Sequence, residues 1–354
     1  MIYINGRFLT QPLTGVQRFA FEIINQLAYT TDIVVVMPSC KIHSSYDVKG
    51  WNINHVGFGG GYFWEQIILP FYLLTHKTPL LISLCNLAPI FYRNKITVIH
   101  DLAVIEHPEW FNWKFTLFYK FSLKWILYYS KFIISVSNFS KTRIEEIYGI
   151  QSAKIGVVYN AVSEKLIKVK TNPFANSSFN FLISKKFILC VASIDPRKNF
   201  KRILEAFNHV ENYEFDLIIV GKKSNAFKDN LVTENYERIH FIGYVNDEEL
   251  SWLYKNALFF IYLSLYEGFG IPPLEAMANG CPTLISDIPV HRELYNGTSF
   301  FVNPNNIESI KIAMMQLLND FELRESLIQK GLEISRKYSW SNSVEKMSEI
   351  LLKL

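Results

Sequence analysis

Short apolar runs alternate with amphipathic stretches along the whole chain. IVVVMP (33–38), PLLISL (79–84), ITVIHDL (96–102), FIISVS (132–137) and IGVVYN (155–160) lie in the first half. KFILCVAS (186–193), DLIIVG (216–221), IHFIGY (239–244), LFFIYLS (258–264) and PTLISD (282–287) lie in the second. Most are continuously apolar, as strands covered on both faces of a parallel sheet must be. Between them, stretches such as GVQRFAFEIINQL and NFKRILEAFNHV carry apolar residues at helical spacing. This alternation predicts an α/β chain with doubly wound parallel sheets. It breaks once, in KVKTNPFANSSFNFLISKK (168–186), where Asn, Ser, Pro and Thr give a linker composition. The expected organisation is an N-terminal domain over 1–170, a linker over 171–185 and a second domain over 186–338. A final helix over 339–354, capped by Ser339 or Ser341 and packing back toward the N-terminal domain, completes it.

Composition agrees with that picture. A chain of 354 residues has a prior of about two domains. Hydrophobic residues make up 49%, which implies large buried cores and excludes disorder. The net charge of +4 is too mild to imply a nucleic-acid partner, and none is expected. Cys40, Cys85, Cys190 and Cys281 are far apart and lack metal-ligand spacing, so neither a disulfide framework nor a zinc site is expected. MIYINGRFLT reads as an apolar strand and not as a signal peptide. No apolar run reaches the roughly 18 uncharged residues of a membrane span. The expectation is a cytoplasmic protein, soluble or peripheral to the inner face of the cytoplasmic membrane.

Chemistry concentrates in SLYEGFGIPPLEAMANG (264–280). A buried strand ends near Ser264, and a turn with Gly268 and Gly270 follows. Pro272 and Pro273 suit the first turn of a helix, which Asn279-Gly280 ends. Free N–H groups at Gly270 and Ile271 would make an anion site. Glu267 before the turn and Glu275 inside the helix flank that site as hydroxyl acceptors. Read locally, they are equally a surface acid and a helix-start acid favoured by the dipole.

The pattern E-G-F-G-I-P-P-L-E-A-M-A-x-G-x-P resembles the signature of family 4 retaining glycosyltransferases, which have the GT-B fold. The resemblance implies two Rossmann-like parallel-sheet domains facing a cleft. It implies that Glu267 contacts the donor sugar, that Glu275 binds the nucleotide ribose, and that the amides of Gly270 and Ile271 hold the diphosphate. VASIDPRKNFKRILEAF (191–207) resembles the family's basic diphosphate grip. Lys198 matches the family lysine. Ser193 and Ile194 stand near the family arginine, so Arg197 is the candidate substitute. IHFIGYVNDEELSWLY (239–254) resembles the base-reading segment around Val245, while Asp247, Glu248 and Glu249 read as an acidic first helical turn. LTGVQRFAFEI (13–23) is similar to the family's glycine loop, with Gly15 toward the diphosphate and Arg18 toward an acidic part of donor or acceptor. In TVIHDLAVIEHPEWF (97–111), His100 stands where the family points a histidine at the donor sugar, and Asp101 orients it or meets the acceptor.

The function implied is a retaining, metal-independent hexosyltransferase. It uses a nucleoside-diphosphate sugar as co-substrate, with no cofactor and no metal; the chain contains no DxD. The T-G-V-Q-R and H-D-L-x-x-x-x-H-P-E segments resemble bacterial surface-polysaccharide mannosyl- and rhamnosyltransferases. GDP-mannose is therefore the first expected donor, dTDP-rhamnose the second, and a lipid-linked glycan the acceptor. WFNWKFTLFYKFSLKWILYYSKF (110–132) carries Leu117, Phe121, Trp125, Tyr128 and Phe132 at helical spacing beside Lys120, Lys124 and Lys131. It reads either as a core helix with snorkelling lysines or as a face for an anionic membrane. The competing functions are a non-catalytic sugar-nucleotide binder or assembly subunit and a nicotinamide oxidoreductase. The latter lacks a GxGxxG after an early strand.

Overall fold

A computed structural model describes residues 1–167, 173–174, 179–210, 215–221 and 237–354. Contacts divide the chain into a first unit, Met1–Asn160 with Trp340–Leu354, and a second unit, Ala161–Ser339. Of the segment read as a linker, 171–172 and 175–178 lie outside the described residues, and Asn180–Ile183 forms a single 3-10 turn.

The first unit holds seven strands: β1 (Ile2–Asn5), β2 (Ile33–Pro38), β3 (Ile53–Val56), β4 (Leu81–Ser83), β5 (Lys95–Ile99), β6 (Phe132–Ser135) and β7 (Ile155–Val157). Their order is β3-β2-β1-β4-β5-β6-β7, and every pairing is parallel. The second unit holds β8 (Lys186–Val191), β9 (Phe215–Val220), β10 (Ile239–Gly243), β11 (Phe259–Tyr262), β12 (Thr283–Ser286) and β13 (Phe300–Val302). Their order is β10-β9-β8-β11-β12-β13, again all parallel. Each sheet reverses its winding once, between β1 and β4 in the first and between β8 and β11 in the second. Loops leaving the carboxyl ends of those neighbours diverge, which opens a crevice for ligands.

The apolar runs become central strands because both faces are covered. β2, β9 and β11 are buried along their whole length. MIYINGRFLT stays a strand only to Asn5 and then turns into a 3-10 helix over Gly6–Thr10. The Asn5 side chain accepts from Arg7 N at 3.2 Å, and Gly6 lies so close to β2 that a Cβ there would meet Val35 at 2.7 Å. The final helix, Trp340–Leu352, packs in the first unit. Trp340 meets Phe19 edge-on at 5.9 Å, and Ser343 donates to the Tyr159 carbonyl at 2.7 Å. Ser339 precedes that helix, while Ser341 lies inside its first turn. No helix among the described residues is long and apolar enough to cross a membrane.

Candidate functional site

The switch point of the second sheet gathers most of the expected site. β8 runs into a loop whose 3-10 turn, Pro196–Lys198, carries Arg197 and Lys198. β11 runs into the loop that carries Glu267 and Gly270. Leu265 N donates to the Arg197 carbonyl at 2.8 Å and fastens the two loops together. Lys198 is 8% exposed; its Nζ donates to Tyr262 Oη at 2.7 Å and to Glu267 Oε1. Tyr262 Oη donates in turn to Glu267 Oε1 at 2.8 Å. Arg197 Nη1 stands 3.7 Å from the other carboxylate oxygen, Oε2. The result is a buried cluster of two cations, one carboxylate and one hydroxyl.

Two charges in a dry interior survive only if each is paired. Burial by itself would raise the Glu267 carboxyl, but Lys198 and Arg197 hold it well below the usual carboxylate range. Burial and the neighbouring Arg197 lower the Lys198 amine, against the pull of Glu267 and Asp195. An ammonium has three N–H donors. Glu267 and Tyr262 use two of Lys198's, leaving one for a ligand oxygen.

Gly270 follows Glu267 at φ +89, a left-handed conformation that favours glycine. A Cβ there would meet His291 Nε2 at 3.0 Å and Tyr262 Cε1 at 3.8 Å. The helix Ile271–Ala278 starts directly after it, with Pro272 and Pro273 in the first turn, so its leading N–H groups lack intrahelical partners. Beneath the turn lies Pro289–Tyr295, whose Tyr295 hydroxyl donates to the Gly270 carbonyl at 2.7 Å. His291, one turn earlier, is fully buried; its Nδ1 donates to the Ser286 carbonyl at 3.0 Å and its Nε2 has no partner. Burial pulls its pKa down to about 4, so the ring is neutral. Glu275 is half-buried and accepts from Tyr254 Oη at 3.2 Å. Tyr262, His291 and Tyr295 therefore form an aromatic floor that fixes the Glu267–Ile271 turn.

Val245, also in the second unit, is buried between β10 and the helix Asp247–Asn256. Asn246 and Glu249 cap that helix reciprocally, with Asn246 Oδ1 accepting at 2.9 Å from the amides of Glu248 and Glu249. Gly15, Arg18, His100 and Asp101 belong to the first unit. Gly15 opens the helix Gly15–Leu27, and Arg18 sits in its first turn. His100 follows β5; its Nε2 donates to the Leu84 carbonyl at 2.8 Å and its ring meets Phe19 edge-on at 5.1 Å. That leaves Nδ1 as the acceptor of the neutral ring, the form favoured by burial. Asp101 Oδ1 accepts from Ala103 N at 3.1 Å and opens the next helical turn. Among the described residues, no three His, Cys, Asp or Glu side chains gather to hold a metal ion.

The aromatic segment forms the helix Trp113–Tyr129. Its core face is Tyr119, Leu123, Ile126 and Leu127. Of the stripe picked out by spacing, Leu117, Phe121 and Tyr128 are exposed by 64%, 56% and 65%, whereas Trp125 packs against that core and Phe132 opens β6.

Comparison with known proteins agrees with the two-unit fold. The profile of Glycosyltransferase Family 4 matches residues 13–166, and that of Glycosyl transferases group 1 matches residues 175–333. O-antigen chain mannosyltransferase B of Escherichia coli is 26% identical over 94% of this chain and 94% of its own length. O-antigen chain mannosyltransferase RfbU of Salmonella typhimurium is 30% identical over 64% of this chain and 61% of its own length. The solved structure of Anabaena HepE in complex with UDP-glucose superposes with a TM-score of 0.77 at 16% identity, covering 100% of this chain and 99% of that one. The fold is GT-B.

Proposed function

We propose that this chain, whose halves match the models of Glycosyltransferase Family 4 and Glycosyl transferases group 1, is a glycosyltransferase that transfers mannose from a nucleoside-diphosphate sugar to a glycan hydroxyl in surface-polysaccharide synthesis. GDP-mannose is the proposed donor, ahead of dTDP-rhamnose, and the acceptor is lipid-linked. The choice of mannose and of O-antigen synthesis rests on the two mannosyltransferase relatives. The observation that carries the reading is the Arg197–Lys198–Glu267 cluster set against the Gly270–Ile271 turn.

In this reading the diphosphate lies on the amides of Gly270 and Ile271. Lys198 offers its remaining N–H, and Arg197 stands in for the family arginine. Glu275 accepts from the ribose, Glu267 from the sugar, and the backbone at Val245 reads the base. From the first unit, Gly15 serves the diphosphate and His100 Nδ1 accepts from a sugar hydroxyl. Arg18 and Asp101 serve the acceptor. The acceptor oxygen bonds to the anomeric carbon on the face the diphosphate leaves, so configuration is retained. The C–O bond to the diphosphate breaks, and the acceptor proton passes to the leaving phosphate oxygen. Fixed cations and dipoles stabilise the charge that develops there, the task a metal performs in other transferases. The exposed stripe of Trp113–Tyr129, with Lys114, Lys120 and Lys124 on the same helix, meets the anionic inner membrane face where a lipid-linked acceptor resides.

Incubation of the purified protein with a panel of sugar nucleotides and a lipid-linked acceptor tests this. Transfer is expected with GDP-mannose. No transfer and no hydrolysis with any sugar nucleotide would overturn the reading.

A further inference from the structure

The loop that leaves β4 grips His100 twice. The Leu84 carbonyl accepts from the His100 ring at 2.8 Å, and Asn86 Oδ1 accepts from the His100 amide at 2.7 Å. Between them, Cys85 Sγ donates at 3.8 Å to the carbonyl of Val16, the second residue of the helix that Gly15 opens. His100 stands where regular pairing has run out. The ladder of β5 with β4 ends at Thr97, and that with β6 ends at Ile99.

Asn86 carries the β4–β5 ladder further by an unusual route. In a parallel ladder a residue gives its N–H to the carbonyl before its partner and its own carbonyl to the N–H after it. The Asn86 amide donates to the Val98 carbonyl at 3.0 Å, and the His100 amide answers to Asn86. Asn86 therefore brackets Ile99 as a strand residue would, with Oδ1 in place of its main-chain carbonyl. The main chain itself turns away. Asn86 has a φ of +60, and across it the Leu87 amide donates to the Cys85 carbonyl at 2.6 Å. A three-residue turn with a positive central φ is the rare, strained form. Glycine bears that conformation best, so the turn alone would call for glycine. Asparagine adds the acceptor, and His100 takes it. Strain of this kind persists where surrounding contacts over-determine it.

We propose that Asn86 is a positioning residue for the sugar-transfer reaction. By bracketing Ile99 it holds the end of β5 against the β4 loop and keeps the His100 ring on the Leu84 carbonyl, with Nδ1 as the acceptor for a sugar hydroxyl. The inference rests on the role of His100 proposed above.

GDP release from GDP-mannose by the full chain tests it, with Asn86→Gly, His100→Ala and the two combined. Asn86→Gly keeps the turn and removes the acceptor. It is expected to lower kcat about tenfold with little change in the KM for the sugar nucleotide. In the His100→Ala background the same change is expected to alter kcat by no more than about twofold, because the ring it positions is gone. Asn86→Asp keeps both the acceptor and the turn, and is expected to retain more of kcat than Asn86→Gly. Additive losses in the combined variant, or an unchanged kcat in a folded Asn86→Gly protein, would overturn the inference alone. Absence of GDP release by the unchanged protein would remove the donor reading and the inference with it.

Discussion

Each unit places a buried cation–carboxylate pair where its sheet reverses, and the two pairs behave differently. In the first, Arg7 follows β1 and meets Glu65. In the second, Lys198 follows β8 and meets Glu267, which follows β11. Burial raises the Glu65 carboxyl despite the opposing pull of Arg7 and Asn5. At Glu267 burial pushes the same way, yet Lys198 and Arg197 together reverse it. One cation does not overcome desolvation at the first site, and two do at the second. The closed cluster thus keeps its charges paired in the interior, as the proposed diphosphate role needs. The first pair keeps one carboxylate oxygen, Glu65 Oε2, buried without a partner.

The largest expected effect comes from the same isosteric exchange at both sites. Glu267→Gln removes the carboxylate paired with Lys198 and leaves only Asp195, 3.9 Å from Arg197, as a counter-charge to the two cations. A broken buried pair costs about 3–5 kcal/mol, and loss of an electrostatic site group slows catalysis by about 10²–10³-fold. Urea unfolding and kcat/KM for sugar transfer measure the two. Glu65→Gln removes the counter-charge of a single cation, Arg7, and should cost less, about 1–3 kcal/mol. Equal losses at the two sites would break the contrast.

A smaller effect is the response to acid. The His291 ring sits at about 4 in the folded protein against an ordinary value of 6.5. Between those values the unfolded chain binds a proton that the folded chain refuses. Nothing is lost above pH 6.5; the loss grows as pH falls, reaching on the order of 3 kcal/mol at pH 4. Glu267, with its folded value depressed, loses stability in the same direction at lower pH still. Glu65, with its folded value raised, gains stability as pH falls and loses it as pH rises through that value. Replacing His291 by Gln should flatten the urea midpoint between pH 6.5 and 4.5. An unchanged slope would show that His291 does not drive the acid response.

These residues also show what the sequence could carry. Glu267, Gly270, Ile271 and Glu275 are legible because strand, turn and helix are contiguous there, and the two prolines fix where the helix begins. β2 was legible as an unbroken apolar run, whereas β3 (INHV) and β13 (FFV) are short edge strands with half-exposed residues and no clear period. Tyr262 reads as one more apolar strand residue in LFFIYLS, and only its long-range partner Lys198 reveals its role. His291 and Tyr295 matter through a turn some 20 residues away in sequence, which periodicity does not report. Glu65 did leave a trace, as the lone acid in GYFWEQIILPFYLLT. The helix Trp113–Tyr129 has apolar residues on both its core and its exposed face, so spacing alone does not separate the two, and its stripe mixes exposed Leu117, Phe121 and Tyr128 with core-packed Trp125.

The smallest effect tests whether the second cluster is closed by its hydroxyl or by its charges alone. Tyr262→Phe keeps the ring under Gly270 and removes only Oη, which accepts from Lys198 and donates to Glu267. The charge pair remains, so the stability loss should be about 1 kcal/mol. Lys198 Nζ would then have a second N–H free, and it would move with fewer restraints. Because positioning errors tell most in the transition state, kcat should fall about tenfold while the KM for the sugar nucleotide changes little. A merely structural hydroxyl would lower Tm and leave kcat alone. If kcat is unchanged in a folded Tyr262→Phe protein, the two cations suffice to hold Glu267, and the difference between the switch points reduces to the number of positive charges at each.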